Sequence, residues 1–351
     1  MNFEYSNFLN AKNTFVIAEA GSNWKKGNYD DDLKEAKLLI DVASKAGADA
    51  VKFQTFESKS LYVENAGKSN YLVNNGITEN INQMFDRLSM PKIMIPELSQ
   101  YCEKKKILFM STPFSVNDAK EIEPFTKIYK IASYEINHVR MLEFIARTLK
   151  PIIISTGASS FEDIDFAVSI IKKYHNNFAI LQCTAKYPAS YETMNLSVIP
   201  NLKTKYNCPV GLSDHSLDPI VSPLTAIGYG ASIIEKHFTI DKNSLGPDHK
   251  FALEPNQLKL MIEKIRNADK TKGDGEKKIL DEEMELKQFA TRSLQAIRKI
   301  EKGEMLIEGE NFDVLRPGNQ KRGLDAKFLD KVNGKISTEN VRKGEGIINF
   351  E

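Results

Sequence analysis

The chain has 351 residues, 41% of them hydrophobic, and a formal net charge of +1. That length holds one large domain and a small one, and the balanced charge excludes the electrostatic footprint of a nucleic-acid or anionic-membrane binder. Cys102, Cys183 and Cys208 are widely spaced and odd in number, which excludes a disulfide framework; without a C-x-x-C pair a cysteine zinc site is not expected either.

Apolar runs that read as strands recur at Thr14–Ala18, Ala48–Phe53, Ile107–Met110, Lys127–Ala132, Pro151–Ser155, Phe178–Gln182, Pro209–Leu212 and Ser232–Glu235. Most show little alternation, as expected of strands covered on both faces. Helical patterns fall between them. In the first, Leu33, Ala36, Ile40 and Ala43 share a face, Asp30, Asp31 and Asp32 favour the N-terminus, and Gly47 stops the helix. Others are read at Pro96–Lys105, with proline as first helical residue, and at Met141–Thr148, Phe161–Tyr174, Ile220–Gly228 and Asn256–Asn267. Strands alternating with helices predict a (β/α)8 TIM barrel over residues 1–270. A doubly wound open sheet is the alternative, but no Gly-rich dinucleotide fingerprint follows the first strand. Glu57–Ile95 is too long for an ordinary strand-to-helix loop and reads as a lid. No apolar run is long enough to span a bilayer, and the polar start Met1–Asn13 lacks signal-peptide character, so a soluble cytoplasmic protein is expected.

After Asn267 the composition changes. Asp269–Lys278 is charged and holds Gly273 and Gly275, so a linker is assigned at 271–288. A compact, mostly β module is expected at 289–351. It carries an internal echo: Ile300-Glu301-Lys302-Gly303-Glu304 resembles Val341-Arg342-Lys343-Gly344-Glu345, and both look like corners turned at glycine.

In a barrel, polar residues at strand C-termini are the catalytic candidates. Here every strand supplies some. Glu19, Lys52, Gln54, Thr112, Lys130, Ser133, Glu135, Ser155, Tyr187, Ser213, Glu235 and Asp248 fall on or just past strand ends, with Phe114 close behind. Thr55, Ser111, Thr156 and Asp214 are placed there too. Two lysines among hydroxyls suit a phosphorylated anion. His215 and His237 each follow a strand, and the strand–helix–strand unit between them puts both imidazoles on one rim. Two histidines are often hydrogen-bonded parts of a wall, but this placement amid Ser, Asp and Lys favours a metal pair acting as Lewis acid.

With these residues in view the chain resembles the sialic acid synthase family, whose members make nonulosonic acids. The resemblance rests on Ile17-Ala18-Glu19-Ala20-Gly21, Val51-Lys52-Phe53-Gln54-Thr55, Ser111-Thr112-Pro113-Phe114, Lys130-Ile131-Ala132-Ser133-Tyr134-Glu135, Ser155-Thr156-Gly157, Cys183-Thr184 with Tyr187-Pro188, Gly211 to His215, Glu235 to Phe238, and Gly246-Pro247-Asp248. The tail resembles the family's antifreeze-like (SAF) domain through Arg316-Pro317-Gly318-Asn319. The resemblance implies condensation of phosphoenolpyruvate with an N-acetylated mannose-type sugar and release of phosphate. It implies Mn2+, or Mg2+ or Co2+, on His215 and His237. It places phosphoenolpyruvate on Lys52, Lys130, Thr112, Ser133, Ser155 and Ser213, and the open-chain sugar on Gln54, Glu135, Tyr187 and Asp248 with Glu19 nearby. It further implies a domain-swapped homodimer in which Arg316 acts in trans on the partner's barrel. Trp24 stands where many members have histidine, and Ala185 where some have asparagine. Alternatives are the same reaction on a 6-deoxy diacetamido sugar, as in legionaminic and pseudaminic acid synthases; a class I aldolase with Lys52 or Lys130 as Schiff base; and a non-enzymatic sugar- or ice-binding protein.

Overall fold

The computed structural model describes residues 13–68 and 78–351; Met1–Ala11 and Lys12 of the polar start, and residues 69–77 of the expected lid, lie outside the described residues. The chain divides into two compact units at the Lys272/Gly273 boundary. The first is built on eight strands: β1 (Phe15–Gly21), β2 (Ala50–Thr55), β3 (Leu108–Pro113), β4 (Tyr129–Ile131), β5 (Ile152–Ser155), β6 (Phe178–Cys183), β7 (Val210–Asp214) and β8 (Ile233–His237). Every ladder is parallel, in the order β3-β2-β1-β8-β7-β6-β5-β4. The end strands β3 and β4 lie against each other, which closes the sheet into the expected barrel.

Side-chain parity divides each strand between two environments. The outward residues of the strands join one continuous core with the helices. The inward ones near the strand starts, among them Phe15, Ile17, Met110, Ile128, Ile153, Leu181 and Ile233, form a separate apolar plug. Gly211 is part of that fit: a Cβ there would lie 2.2 Å from the Ile233 carbonyl oxygen and 2.6 Å from a Leu181 methyl. Farther along the strands the inward residues turn polar, and the site begins.

The first helix, α1 (Tyr29–Ala46), has the expected limits: the Asn28 side chain accepts from Asp31 N, and Gly47 closes it with φ +89°. In the lid region α2 (Ser58–Leu61) and α3 (Ile81–Leu88) are helical. The next helix, α4 (Met94–Lys105), starts two residues before Pro96, so the proline is third rather than first; it is tolerated because a third residue's N–H has no intrahelical partner. Besides α2 and α3, two short barrel helices escaped the sequence reading: α5 (Val116–Ile122), capped by Ser115, and α8 (Ile199–Tyr206). Between them are α6 (Val139–Arg147) and α7 (Phe161–Ile171), the latter ending before the expected Tyr174. Beyond α9 (Val221–Gly228), α10 (Pro255–Thr271) overruns the expected end at Asn267, because the Asp269 carboxylate accepts from Thr14 N and Oγ1 at 2.8 and 2.7 Å and holds the last turn on the barrel. Asp269 and Lys270 therefore belong to a helix rather than to a charged linker.

The second unit opens with Gly273 and Gly275 in left-handed conformations, then forms α11 (Met284–Ala290) where linker was expected. It contains an antiparallel pair, β9 (Ser293–Ala296) and β10 (Phe312–Leu315), isolated bridges and the single-turn α12 (Leu329–Val332) around its own apolar core. The two echoed corners pair with one another: Ile300 and Val341 exchange N–H···O bonds of 2.9 Å, and Gly303 and Gly344 turn at φ +91° and +88°. Arg316 is exposed at the end of β10, before a turn in which Gly318 N donates to the Phe289 carbonyl.

Candidate active site

The inward residues past the plug line a cavity of about 510 Å³ at the C-terminal ends of the strands. Of the expected site residues, Glu19, Lys52, Gln54, Thr112, Phe114, Lys130, Ser133, Glu135, Ser155, Tyr187, Ser213, His215, His237 and Asp248 all reach it; Arg316 lies in the second unit. Ile81, Met84, Phe85 and Leu88 of the expected lid pack with Phe56 and Phe114 in an apolar wall, all six facing the cavity. Trp24 is buried in the outer core, and Ala185 stands beside Gly157.

Four buried charges occupy the cavity floor. Lys52 Nζ lies 2.6 Å from Glu19 Oε2 and 3.8 Å from Glu235 Oε2, and donates to Thr112 Oγ1 at 2.9 Å. Lys130 Nζ donates to Ser155 Oγ at 2.6 Å and lies 3.5 Å from Glu235 Oε1, which also accepts from Ser213 Oγ at 3.1 Å. Burial works against charging either lysine. Glu19 and Glu235 overcome it for Lys52, whose pKa is raised, whereas Lys130 remains lowered. Between the acids, burial and the neighbouring Glu235 push Glu19 up, while the two lysines outweigh burial at Glu235 and hold it down. Glu235 thus links both ammonium groups; its position one residue before Lys236-His237 marked it as a rim residue, but its role between two lysines is visible only in three dimensions.

Around this floor, Gln54 Nε2 donates to Glu19 Oε1 at 3.2 Å and Gly157 N donates to Ser133 Oγ at 2.9 Å. Gly21, at φ +52°, leaves room for Asp248, whose Oδ2 would sit 2.9 Å from a Cβ there. Burial raises Asp248 to about 6, and burial with the nearby Asp118 raises Glu135 to about 7.

The histidine rings lie side by side, with centroids 5.6 Å apart. The His215 Nδ1–H donates to the Thr184 carbonyl at 2.8 Å, which leaves Nε2 as the nitrogen for a ligand; burial opposes charge on this ring, but Cys183 and the Thr184 bond raise its pKa, so a cation there would displace a proton. Burial, followed by His215 and the lysines, drives His237 well below its ordinary pKa and keeps it neutral, the ligating form. His237 Nδ1 is buried without a hydrogen bond, 3.8 Å from Asp248 Oδ2. An orphaned imidazole nitrogen near a carboxylate, on a ring 5.6 Å from a second imidazole, fits a divalent cation. Among the described residues no group of three or more His, Cys, Asp or Glu forms a ligand cluster, so the protein's share would be this pair, leaving further positions to substrate.

Parity also corrects the sequence reading. Thr55 and Ser111 share a 2.7 Å hydrogen bond in the wall, Thr156 Oγ1 donates to the Leu181 carbonyl, and Asp214 pairs with Lys236, so none of the four faces the cavity.

A closed parallel barrel whose C-terminal rim gathers paired lysines, hydroxyls, carboxylates and two imidazoles around one cavity has the arrangement of an enzyme active site. The NeuB family model matches residues 39–277. The spore coat polysaccharide biosynthesis protein SpsE of Bacillus subtilis is 38% identical, with 95% of this chain and 92% of that protein covered. The N,N'-diacetyllegionaminic acid synthase of Campylobacter jejuni is also 38% identical, with 95% and 98% covered. The crystal structure of an N-acetylneuraminic acid (sialic acid) synthetase from Leptospira borgpetersenii, in complex with citrate, matches with a TM-score of 0.69 at 35% identity, covering 79% of this chain and 91% of that one. The chain belongs to the NeuB family of nonulosonic acid synthases, as its motifs implied. No helix among the described residues is long and apolar enough to cross a membrane.

Proposed function

We propose that this enzyme condenses phosphoenolpyruvate with N-acetylmannosamine or a related N-acetylated sugar and releases phosphate. The observation that carries this reading is the Lys52–Glu235–Lys130 group, two buried ammonium ions flanked by Thr112, Ser155 and Ser213 and open to one cavity. Such a floor suits a ligand bearing both phosphate and carboxylate. Gln54, Glu135, Tyr187 and Asp248 surround the space above it and would bind the sugar, with Glu19 and Phe114 beside them. His215 and His237 would hold Mn2+, or Mg2+ or Co2+, which supplies Lewis acidity to the sugar aldehyde. C3 of phosphoenolpyruvate then bonds to the aldehyde carbon, water adds at C2, and the C2–O bond to phosphate breaks. The raised carboxyls of Glu135 and Asp248 are suited to carry the protons these steps move. We assign the second unit as a SAF-like module that brings Arg316 to the partner's barrel in a homodimer.

A second acceptor is favoured by the apolar wall of Phe56, Ile81, Met84, Phe85, Leu88 and Phe114, which suits a 6-deoxy diacetamido sugar with its methyl groups, and by the relative named as a diacetyllegionaminic acid synthase. Phosphate release measured with N-acetylmannosamine and with both 6-deoxy diacetamido sugars tests the reading. Release that requires phosphoenolpyruvate, one of these sugars and a divalent ion is expected, with loss on chelation and in His215→Ala and His237→Ala. A pyruvate adduct trapped by borohydride on Lys52 or Lys130 would replace it with a Schiff-base aldolase.

A further inference from the structure

The wall beside the two histidines contains a cation that the reaction does not use. Lys236 precedes His237 on β8 and points away from the cavity. Its ammonium lies 2.7 Å from Asp214 Oδ2 and donates to Ser216 Oγ at 3.1 Å, to the Asp218 carbonyl at 3.2 Å and to the Ser216 carbonyl. Asp214 Oδ1 accepts from Ser216 N at 2.7 Å. The Lys236 and Asp214 side chains are 1% and 0% exposed.

Asp214 and Lys236 form the last register pair of the β7–β8 ladder, so His215 lies one residue beyond regular pairing on that side. His237 is still paired to Glu19 on β1, while each histidine's carbonyl accepts from one backbone amide beyond the ladder, that of His237 from Leu253 N at 2.8 Å and that of His215 from Ala189 N at 3.0 Å. The ammonium of Lys236 grips residues 214 and 216, one on each side of His215, from the residue adjoining His237. A buried ion pair adds little stability over apolar side chains of similar volume, because desolvation offsets the Coulombic gain. What this set of directional contacts provides is fixed geometry.

We propose that the Lys236–Asp214 pair is a positioning device that sets the separation and orientation of His215 and His237, and through them the affinity for a divalent cation. The proposal rests on the reading of these histidines as metal ligands. It requires no contact between Lys236 or Asp214 and either substrate.

The test titrates Mn2+ into metal-free enzyme by calorimetry and records thermal unfolding of the same samples. The apolar double variant Asp214→Leu/Lys236→Met leaves no uncompensated buried charge. It should lose some unfolding temperature, because Ser216 N and the Ser216 and Asp218 carbonyls lose their partners, and bind Mn2+ about 10- to 100-fold more weakly, the usual effect of losing a partner behind a metal ligand. As a control, Arg266→Leu breaks a 2.7 Å ion pair to Asp49 at the opposite end of the barrel. It should lower the unfolding temperature and leave the Mn2+ Kd unchanged; an equal loss of affinity there would reduce the effect to general loosening and overturn the proposal. If the double variant does not fold, Asp214→Asn, which keeps an oxygen acceptor, should still weaken Mn2+ several-fold, and an unchanged Kd overturns the proposal. Wild-type affinity in the double variant, with binding lost in His215→Ala, overturns the positioning role and leaves the metal site standing. Equal binding by His215→Ala and wild type, or none by wild type, removes both.

Discussion

Lys130 and Lys236 are both fully buried, both next to carboxylates and both on barrel strands, but they sit on opposite sides of the sheet. Lys236 is saturated: a carboxylate, a hydroxyl and two carbonyls surround its ammonium. Lys130 has a 2.6 Å bond to Ser155, a long 3.4 Å bond to the Ile131 carbonyl and a carboxylate at 3.5 Å, and it opens onto the cavity. On the same floor, Glu235 Oε2 has no hydrogen bond. Burial and ion pairing therefore do not separate the lysine proposed to bind substrate from the one in the framework. Incomplete satisfaction, on the side of the sheet that faces empty space, does.

That contrast breaks if the two lysines respond alike to the same substitution. Lys236→Met should cost about 3–5 kcal/mol of folding stability, because it strands the Asp214 carboxylate in the wall; denaturant unfolding measures it. Lys130→Met should leave the fold close to wild type and remove about 2–4 kcal/mol of transition-state binding, read from kcat/KM for phosphoenolpyruvate. Partial recovery in Lys130→Arg would mark charge rather than covalent chemistry as its contribution. Unchanged turnover in Lys130→Met would place it with the framework.

The plug and the site can be separated in the same way. Gly211→Ala should destabilise by at least about 1–3 kcal/mol, since the added methyl meets backbone and a packed leucine and has nowhere to go. Catalytic constants of the protein that still folds should change little.

The smallest effect concerns pH. Glu135 has a folded-state pKa of about 7 against an ordinary 4.5, raised by burial and by Asp118. Between these values the folded chain binds the proton that the unfolded chain has released, so stability falls as pH rises. Relative to Glu135→Gln, wild type should lose melting temperature from about pH 4.5 to about pH 7 and run parallel above that. Parallel curves throughout would show that this carboxyl is as solvated as a surface one.

The barrel was legible because strand–helix alternation is a local signal, and the cavity residues because they cluster after strands. Which neighbour faces inward was less so. Thr55, Ser111, Thr156 and Asp214 sit next to cavity residues in the chain and face the wall, although counting by twos along each strand from Gln54, Thr112, Ser155 and Ser213 separates them. The overrun of α10 depends on Asp269 meeting Thr14 from the far end of the barrel, and no window of sequence contains both. The helices α5 and α8, of seven and eight residues, are too short for periodicity to stand out.

The plug of Phe15, Ile17, Met110, Ile128, Ile153, Leu181 and Ile233 makes the cavity a blind shaft. Lys52 lies one inward step deeper than Gln54 on β2, and Lys130 lies on β4 while Glu135 lies in the turn beyond it. Traffic in such a shaft is last in, first out. If one compound rests on the two lysines and another on Gln54 and Glu135, as proposed above, the first must arrive before the second and cannot leave while the second is in place. Depth alone thus imposes a queue, which steady-state inhibition patterns would report as a compulsory order of addition.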